Sequence, residues 1–127
     1  VTCTRSREYF LRKEWISPGT HINAIGADMP GKQELEPALV ASSKVFADSA
    51  AQVVAKGECQ HAASLGLVSV ENITEIGTVL EGARAGRTDS SDVTLFDATG
   101  MAIQDLVVAA IALEKAGEMK IGTVVNF

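Results

Sequence analysis

Short apolar runs alternate with more polar segments along the chain. Continuous apolar runs predict buried strands, and they lie at residues 1–4, 20–25, 44–47 and 92–96. Segments with helical spacing of apolar residues, or with helix start and stop signals, predict helices, and they lie at residues 37–42, 49–56, 58–66, 72–81 and 101–116. Strands that alternate with helices are typical of βαβ units, so the pattern predicts an α/β fold with a parallel sheet.

Two segments near the helix boundaries carry further information. Asp48 or Ser49 can cap the second helix, and Gly57 can end it. The segment 101–116 is apolar nearly all round, which predicts a helix buried on several sides, in the core or against another domain or subunit. The tail at residues 121–127 is apolar and β-like.

The composition is that of an ordinary folded domain. Of the 127 residues, 46% are apolar, which is enough for a core, and the net charge of −5 argues against a nucleic-acid partner. The longest mostly apolar run, residues 106–113, is too short to span a bilayer, so no membrane partner is expected. Cys3 and Cys59 lack metal-type spacing, which predicts reduced thiols in a cytoplasmic protein.

The chain begins at Val1, inside a predicted strand. Because a domain rarely begins within a strand, we expect a fragment or processed piece of a longer protein. None of the 11 glycines forms a G-x-G-x-x-G pattern. The chain alone is therefore not expected to supply the pyrophosphate cradle of a dinucleotide-binding fold.

Asp28 lies just past the carboxyl end of the predicted strand at 20–25, where parallel sheets place their chemistry. Its small neighbours Gly26 and Ala27 would let a substrate approach closely. A half-buried carboxylate there would have a raised pKa and could act as an acid or base. The alternative is a loop aspartate that caps the following turn, and spacing alone favours that alternative.

Three other polar side chains lie in loops at the carboxyl ends of predicted strands. Lys32 could neutralise a phosphate or a substrate carboxylate, or it could be a solvated loop lysine. Thr4 could hold a cofactor amide or ribose, or its hydroxyl could bond to backbone. Thr99 and Gly100 open a helix, where free N–H groups attract anions, although plain capping by Thr99 is equally compatible.

The two histidines lie far apart and suggest no metal site. His21 interrupts an apolar strand, which predicts an imidazole satisfied within the core or beside the site. His61 lies in a polar stretch and is expected to be exposed.

Four blocks of the sequence resemble the ornithine cyclodeaminase/mu-crystallin family, close to its alanine dehydrogenase branch. The first is "GTHINAIGADMPGKQEL" at 19–35. The others follow in the family's order, and they are "VFADSAAQVVAKGE" at 45–58, "EIGTVLEGARAGRT" at 75–88 and "VTLFDATGMAIQDLVVAA" at 93–110.

The resemblance implies a two-domain enzyme that works as a homodimer with NAD or NADP. Residues 1–100 would be the second half of its Rossmann-like NAD(P)-binding domain. Residues 101–127 would be the C-terminal helix and tail that pack on a dimerisation domain outside this chain. The glycine-rich loop and the residues that grip the substrate carboxylate would also lie outside it.

The resemblance also implies roles for individual residues. Asp28 matches the family's catalytic aspartate and would contact the substrate. The residues that match positions lining the cofactor are Thr4, Asn23, Ala24, Ile25, Gly26, Lys32 and Ala98. Ala98 replaces the serine that the family usually has in "FDSTG", which puts one cofactor hydrogen bond in doubt. Thr99 matches a substrate-side position.

The implied reaction is hydride transfer at the α-carbon of a small amino or imino acid, as in an ornithine cyclodeaminase or an alanine dehydrogenase. One alternative is a non-catalytic, mu-crystallin-like binding or structural protein, since a fold does not determine function. Another is an inactive truncated domain. Asp28 favours the enzyme, because a purely structural protein has no need of a carboxylate at that place.

Overall fold

Four parallel strands form a single sheet in a computed structural model that describes residues 1–123 and 125. The strands are β1 (His21–Ala24), β2 (Lys44–Ala47), β3 (Thr74–Glu75) and β4 (Thr94–Asp97), in the order β1-β4-β2-β3. Ala24, Asp97 and Ala47 lie side by side in the register, with Glu75 beside Ala47. The carboxyl ends of all four strands therefore meet at one edge, and the predicted α/β fold is confirmed.

Five α-helices connect and flank the strands. They are α1 (Pro37–Ala41), α2 (Ala50–Lys56), α3 (Cys59–Ser64), α4 (Ile76–Leu80) and α5 (Ala102–Met119). Two short 3-10 turns, Lys13–Trp15 and Val70–Asn72, complete the regular structure of the described residues. Gly57 has extended backbone and separates α2 from α3, as its expected role at the end of a helix requires.

The core lies on one face of the sheet. Side chains alternate along a strand, so Ile22 of β1, Leu95 of β4 and Val45 of β2 point to the same side. Buried residues of α1, α2 and α3 pack on this side, and they include Leu39, Val40, Val53, Cys59 and Ala62. The opposite face carries α4 and an open cavity of ≈ 400 Å³.

The predicted strand at 1–4 is wrong in extent. Thr2 alone forms an isolated parallel bridge with Ala24. The ladder stops there because the N–H of Thr4 donates to the carboxylate of Glu34 instead of to a neighbouring strand.

The predicted single helix at 72–81 is also wrong. Thr74 and Glu75 pair with β2 as an edge strand, and only Ile76–Leu80 is helical. Ile73 belongs to the core, whereas Leu80 is 81% exposed, so the apolar stripe does not act as one face. Free hydrogen-bonding groups on the edge of β2 thus override the local helical spacing.

α5 extends further than predicted, and no other element of the described residues covers it. Gly117 lies inside the helix, which ends at Lys120 in the left-handed conformation. No residue of α5 is buried, so it is not part of the core. The expected strand-like tail is not seen at 121–123 or at 125, and residues 124, 126 and 127 lie outside the described residues.

Replacing Leu95 by alanine should test the core. The side chain is fully buried between the helices and the sheet, so Leu95→Ala should lower the free energy of unfolding by about 2–5 kcal/mol. Urea unfolding followed by circular dichroism measures the change. Leu80→Ala is the matched control and should have little effect, and equal losses in the two variants would contradict the assignment of the core.

Candidate functional site

The loops that follow β1 and β4 are tied to the carboxyl edge of the sheet. The N–H of Ala98 donates to the carbonyl of Ala24 at 3.1 Å. The N–H of Gly100 donates to Oδ2 of Asp48 at 2.7 Å, and the hydroxyl of Thr99 bonds to Oε1 of Gln52 at 3.2 Å. Residues 98–100 are therefore fixed to β1 on one side and to the start of α2 on the other.

Residues 26–35, which we call the Asp28 loop, leave the sheet at the end of β1. The ammonium of Lys32 donates to the carbonyl of Gly26 at 3.1 Å and to Oδ1 of Asp28 at 2.6 Å. The Asp28 side chain is 49% exposed and that of Lys32 is 15% exposed. A buried lysine stem thus supports a carboxylate that faces solvent.

The expectation of a raised pKa for Asp28 is wrong. The hydrogen bond from Lys32 holds the pKa of the Asp28 carboxyl below its usual range, and burial is too slight to offset that effect. The charge of Lys32, four residues along the chain, adds to it. Asp28 is therefore a carboxylate at neutral pH, which is the form that accepts protons.

Helix α3 holds the Asp28 loop from behind. The amide of Gln60 accepts from the N–H of Gly31 at 2.7 Å and donates to the carbonyl of Lys32 at 3.1 Å. His61 is half-buried and bonds through Nε2 to the same carbonyl at 3.1 Å. The expectation that His61 is exposed is thus corrected, because the ring anchors the loop.

Sequence reasoning missed three buried carboxylates beneath this edge. Glu34, Glu58 and Asp97 are 0%, 1% and 0% exposed. They sit in segments whose charge and polarity are typical of solvated loops and strand ends, so composition provided no signal. Among residues 1–123 and 125, no ion pair involves any of them.

Backbone N–H groups stabilise these carboxylates. Glu34 accepts from Thr4 and Gly26 at 2.5 and 3.1 Å. Oε1 of Glu58 accepts from the N–H groups of Glu34 and Leu35 at 2.9 and 2.6 Å.

The third carboxylate, Asp97, ends β4 and faces α3. Its Oδ2 accepts from the N–H of Cys59 at 2.9 Å, while Oδ1 has no partner among the described residues. A Cβ atom at Gly57 would lie 2.8 Å from that Oδ2 and 2.7 Å from Cα of Val53, so only glycine fits.

Burial dominates the titration of two of these groups. Burial raises the pKa of Glu58 to about 7, even though the N–H groups of Leu35 and Glu34 oppose the shift. Burial likewise raises the pKa of Asp97 to about 6. The negative charges of Asp97 and Glu34 add to the shift at Glu58.

The structure bears on the sequence-based interpretations of two further residues, Thr4 and His21. The Thr4 hydroxyl accepts the N–H of Ser6 at 3.2 Å, which matches the backbone-bonding alternative. His21 is exposed on the open face of the sheet, so a place in the core is excluded, whereas its contact with Asn23 agrees with the alternative of a place beside the predicted site. There its ring bonds to the Thr94 hydroxyl at 2.8 Å and to Oδ1 of Asn23 at 3.3 Å.

The structure brings most of the predicted site residues together. The segment 23–26, Asp28 and Lys32 are continuous at the end of β1, and Ala98 is bonded to β1 directly. Thr4 joins this group through Glu34. Thr99 is held apart on α2 through Gln52, with no bond to Asp28.

Among residues 1–123 and 125, no group of three or more His, Cys, Asp or Glu side chains is placed to hold a metal ion. None of the helices in that part of the chain is both long and apolar enough to cross a membrane.

The contribution of Glu58 to the free energy of unfolding should fall as the pH rises from about 4.5 to about 7. The folded protein keeps the Glu58 proton up to a pKa of about 7, whereas the unfolded chain loses it near the usual value of 4.5. Unfolding in this window releases a proton, so raising the pH favours unfolding, by up to about 3 kcal/mol from this group.

Glu58→Gln should flatten the dependence of unfolding free energy on pH relative to the unchanged protein. Glutamine keeps an oxygen for the two N–H groups but does not titrate. Urea unfolding at pH 5 and pH 7.5 measures the difference, and Glu81→Gln, at an exposed carboxylate, is the control. Parallel curves for Glu58→Gln and the unchanged protein would refute the assignment.

Proteins of one family are similar to this chain over most of its length. The model of the ornithine cyclodeaminase/mu-crystallin family matches residues 1–120. The chain is 42% identical to an alanine dehydrogenase of Archaeoglobus fulgidus, over 100% of this chain and 40% of that protein. It is 47% identical to an iminosuccinate reductase of Paracoccus denitrificans, over 91% of this chain and 36% of that one.

Solved structures of such relatives have the same fold as this chain. The crystal structure of the Paracoccus denitrificans iminosuccinate reductase in complex with NAD+ superposes with a TM-score of 0.91, at 43% identity over 98% of this chain and 38% of that one. An archaeal alanine dehydrogenase dimer with bound NAD gives a TM-score of 0.89 at 41% identity, over 98% and 39%. The chain thus spans about two fifths of the length of these relatives. It belongs to the ornithine cyclodeaminase/mu-crystallin family.

Proposed function

We propose that the chain is the second half of the NAD(P)-binding domain of a longer enzyme that transfers hydride at the α-carbon of a small amino or imino acid. The observation that carries the proposal is the ionised carboxylate of Asp28, held by Lys32 at the carboxyl end of a parallel strand. The share of the relatives that the chain spans supports a longer protein. A cytoplasmic location remains a prediction.

The edge of the sheet around residues 23–26 fits a flat nicotinamide ring. Ala24 and Ala27 are buried, Gly26 and Ala98 are likewise small, and Ile25 is the large apolar side chain exposed in this segment. NAD(P), when bound, would supply or accept the hydride, as the relatives crystallised with NAD+ and NAD suggest. Ala98 has no hydroxyl, so backbone groups would have to hold the cofactor at that position.

Asp28 would transfer the proton of the reaction, and Lys32 would bind an anionic group. In the oxidative direction the α-carbon loses hydride while Asp28 takes a proton from the amino nitrogen, which leaves an imine. In the reductive direction Asp28 returns that proton. Lys32 can hold an anionic group of substrate or cofactor, and such a group would compete for the ammonium that now pairs with Asp28. Thr99 would face the substrate from the second loop.

Dehydrogenase or imine reductase chemistry is the first choice. The relatives at 42% and 47% identity are an alanine dehydrogenase and an iminosuccinate reductase, and a Thermococcus litoralis Δ1-pyrroline-2-carboxylate reductase with NADH and L-proline superposes with a TM-score of 0.89. Cyclodeamination of ornithine is the second choice, supported by a relative from Agrobacterium tumefaciens at 32% identity. Asp28 can serve both reactions, by moving a proton on the amine or by activating water.

Residues 101–127 would pack on the dimerisation domain of the whole protein. α5 exposes large apolar side chains along its length, including Leu106, Val108 and Leu113. Such a surface is typical of a region covered by another domain or subunit. A homodimer is therefore proposed, in line with the archaeal alanine dehydrogenase dimer.

Asp28→Asn in the full-length protein should lower turnover by about 10²–10⁴-fold, because the amide cannot take a proton from the substrate. Binding of NAD(P)H, followed by calorimetry, should be unchanged. The assay follows NADH consumption with iminosuccinate, Δ1-pyrroline-2-carboxylate, or pyruvate with ammonia, and proline formation from ornithine. Asp89→Asn, at an exposed carboxylate before β4, is the control. Full activity in Asp28→Asn would remove the proposed role.

Leu106→Glu in the full-length protein should weaken the dimer about tenfold or more, since burial of a leucine side chain contributes roughly 1.5–3 kcal/mol. Sedimentation equilibrium measures the dissociation constant. Glu114→Gln, on the same helix, should leave it unchanged, and an unaffected dimer in Leu106→Glu would show that α5 packs elsewhere.

A further inference from the structure

Glu34 occupies the place where two neighbouring backbone segments separate. Thr2 and Ala24 form a parallel bridge, in which the N–H of Thr2 donates to Asn23 and the N–H of Ile25 donates to Thr2. In a continuing ladder the N–H of Thr4 would bond next to the carbonyl of Ile25. It donates instead to Oε1 of Glu34.

Each oxygen of this carboxylate serves a different segment. Oε1 accepts from Thr4 at 2.5 Å, and Oε2 accepts from Gly26, the residue that opens the Asp28 loop, at 3.1 Å. The approach is so close that a Cβ atom at Gly26 would overlap the carboxylate. Glutamine has only one acceptor oxygen, so it could satisfy only one of the two N–H groups and would present its NH₂ to the other.

The backbone of Glu34 is held as firmly as its side chain. Its N–H donates to Oε1 of Glu58 at 2.9 Å, and its carbonyl accepts from Phe10 and Leu11, both at 3.0 Å. The residue is 0% exposed. Its carboxylate therefore has a fixed position from which to hold other groups.

A continuous set of contacts leads from Glu34 to the proposed acid/base group. Glu34 binds the N–H of Gly26, the carbonyl of Gly26 accepts from Lys32, and Lys32 donates to Asp28. A shift at Gly26 would therefore move the ammonium that orients Asp28.

We propose that Glu34 is a positioning residue: its two oxygens tie Thr4 to Gly26 and thereby set where the Asp28 loop leaves the sheet. The inference rests on the proposed function, in which Asp28 exchanges a proton with the substrate. Glu34 touches no reacting atom in this scheme and acts through Gly26, Lys32 and Asp28. Because misplacing a catalytic group by about 1 Å can cost 10²-fold in rate, its loss should be visible in turnover.

The test is a double-mutant cycle in the full-length protein. Glu34→Gln should lower single-turnover rates by about 10–100-fold. In an Asp28→Asn background the same substitution should cost almost nothing more, because the group it positions is already disabled. A stability role alone would lower the rate by the same factor in both backgrounds, and that result would overturn the proposal.

Glu36→Gln is the matched control. Glu36 is two residues away and accepts a single backbone N–H, from Lys13 at 2.9 Å, so one amide oxygen can replace its carboxylate. We expect rates within about twofold of the unchanged protein, the size of effect usual for surface substitutions. If Glu34→Gln does not fold, Glu34→Asp, which keeps both oxygens on a shorter side chain, takes its place in the cycle.

A second measurement separates failure of this inference from failure of the proposed function. In protein labelled with ¹⁵N at glycine and threonine, the amide protons of Thr4 and Gly26 should shift in Glu34→Gln and remain in place in Glu36→Gln. If these resonances do not move, the proposal that Glu34 ties Thr4 to Gly26 is overturned, whether or not the enzyme is active. If the full-length protein reduces or oxidises none of the substrates tested, the proposed function fails, and these resonances alone decide whether Glu34 ties the two segments.

Discussion

Backbone N–H groups that point at buried carboxylates hold the functional edge of this protein together. Glu34, Glu58 and Asp97 are withdrawn from water without a cationic partner among the described residues, and each depends on amide donors from a different segment. Burying a charge is costly unless it is well hydrogen-bonded. Displacing these amides would leave a buried carboxyl group without its hydrogen bonds, so the loops that carry them stay in a fixed arrangement around the strand ends.

This arrangement separates rigid support from the proposed acid/base group. The buried carboxyl groups serve the backbone, while the side chain of Asp28 is about half exposed and paired with Lys32. Two carboxyl groups close together in the sequence thus lie in opposite environments: Glu34 is enclosed and bound by N–H groups, whereas Asp28 is paired with Lys32 at the surface. Helix α3 connects the buried carboxyl groups with the Asp28 loop. It begins beside Glu58, which accepts from the N–H of Glu34, and its residue Gln60 donates to the carbonyl of Lys32.

Local sequence signals were sufficient to predict the strands and helices that pack in the core. The β-branched runs around β1 and β4 and the stop of α2 at Gly57 predicted those elements to within a few residues, although the side chain of Ser49 makes no capping hydrogen bond. They failed at Ile73, whose neighbours join the edge of β2, because a distant hydrogen-bonding partner outweighs local spacing. The predicted site residues of β1 and its loop do lie together at the end of that strand, but the expected rise in the pKa of Asp28 was wrong, since the position of Lys32 depends on how the loop folds. The role of Glu34 was invisible for the same reason: its partners, Thr4 and Gly26, come together only in the folded chain.

Gly57 illustrates how narrowly this edge can vary during evolution. The space that a side chain would need there is already taken by the Asp97 carboxylate and the backbone of Val53. Even the smallest replacement, alanine, would have to push β4 away from α3, and it would do so at the strand whose end leads into Ala98 and Thr99. A shorter side chain at position 97 would remove only one of the two obstructions, because Cα of Val53 would still lie 2.7 Å from the added atom. The position is therefore closed to every side chain as long as α2 keeps its place, whatever residue stands at position 97.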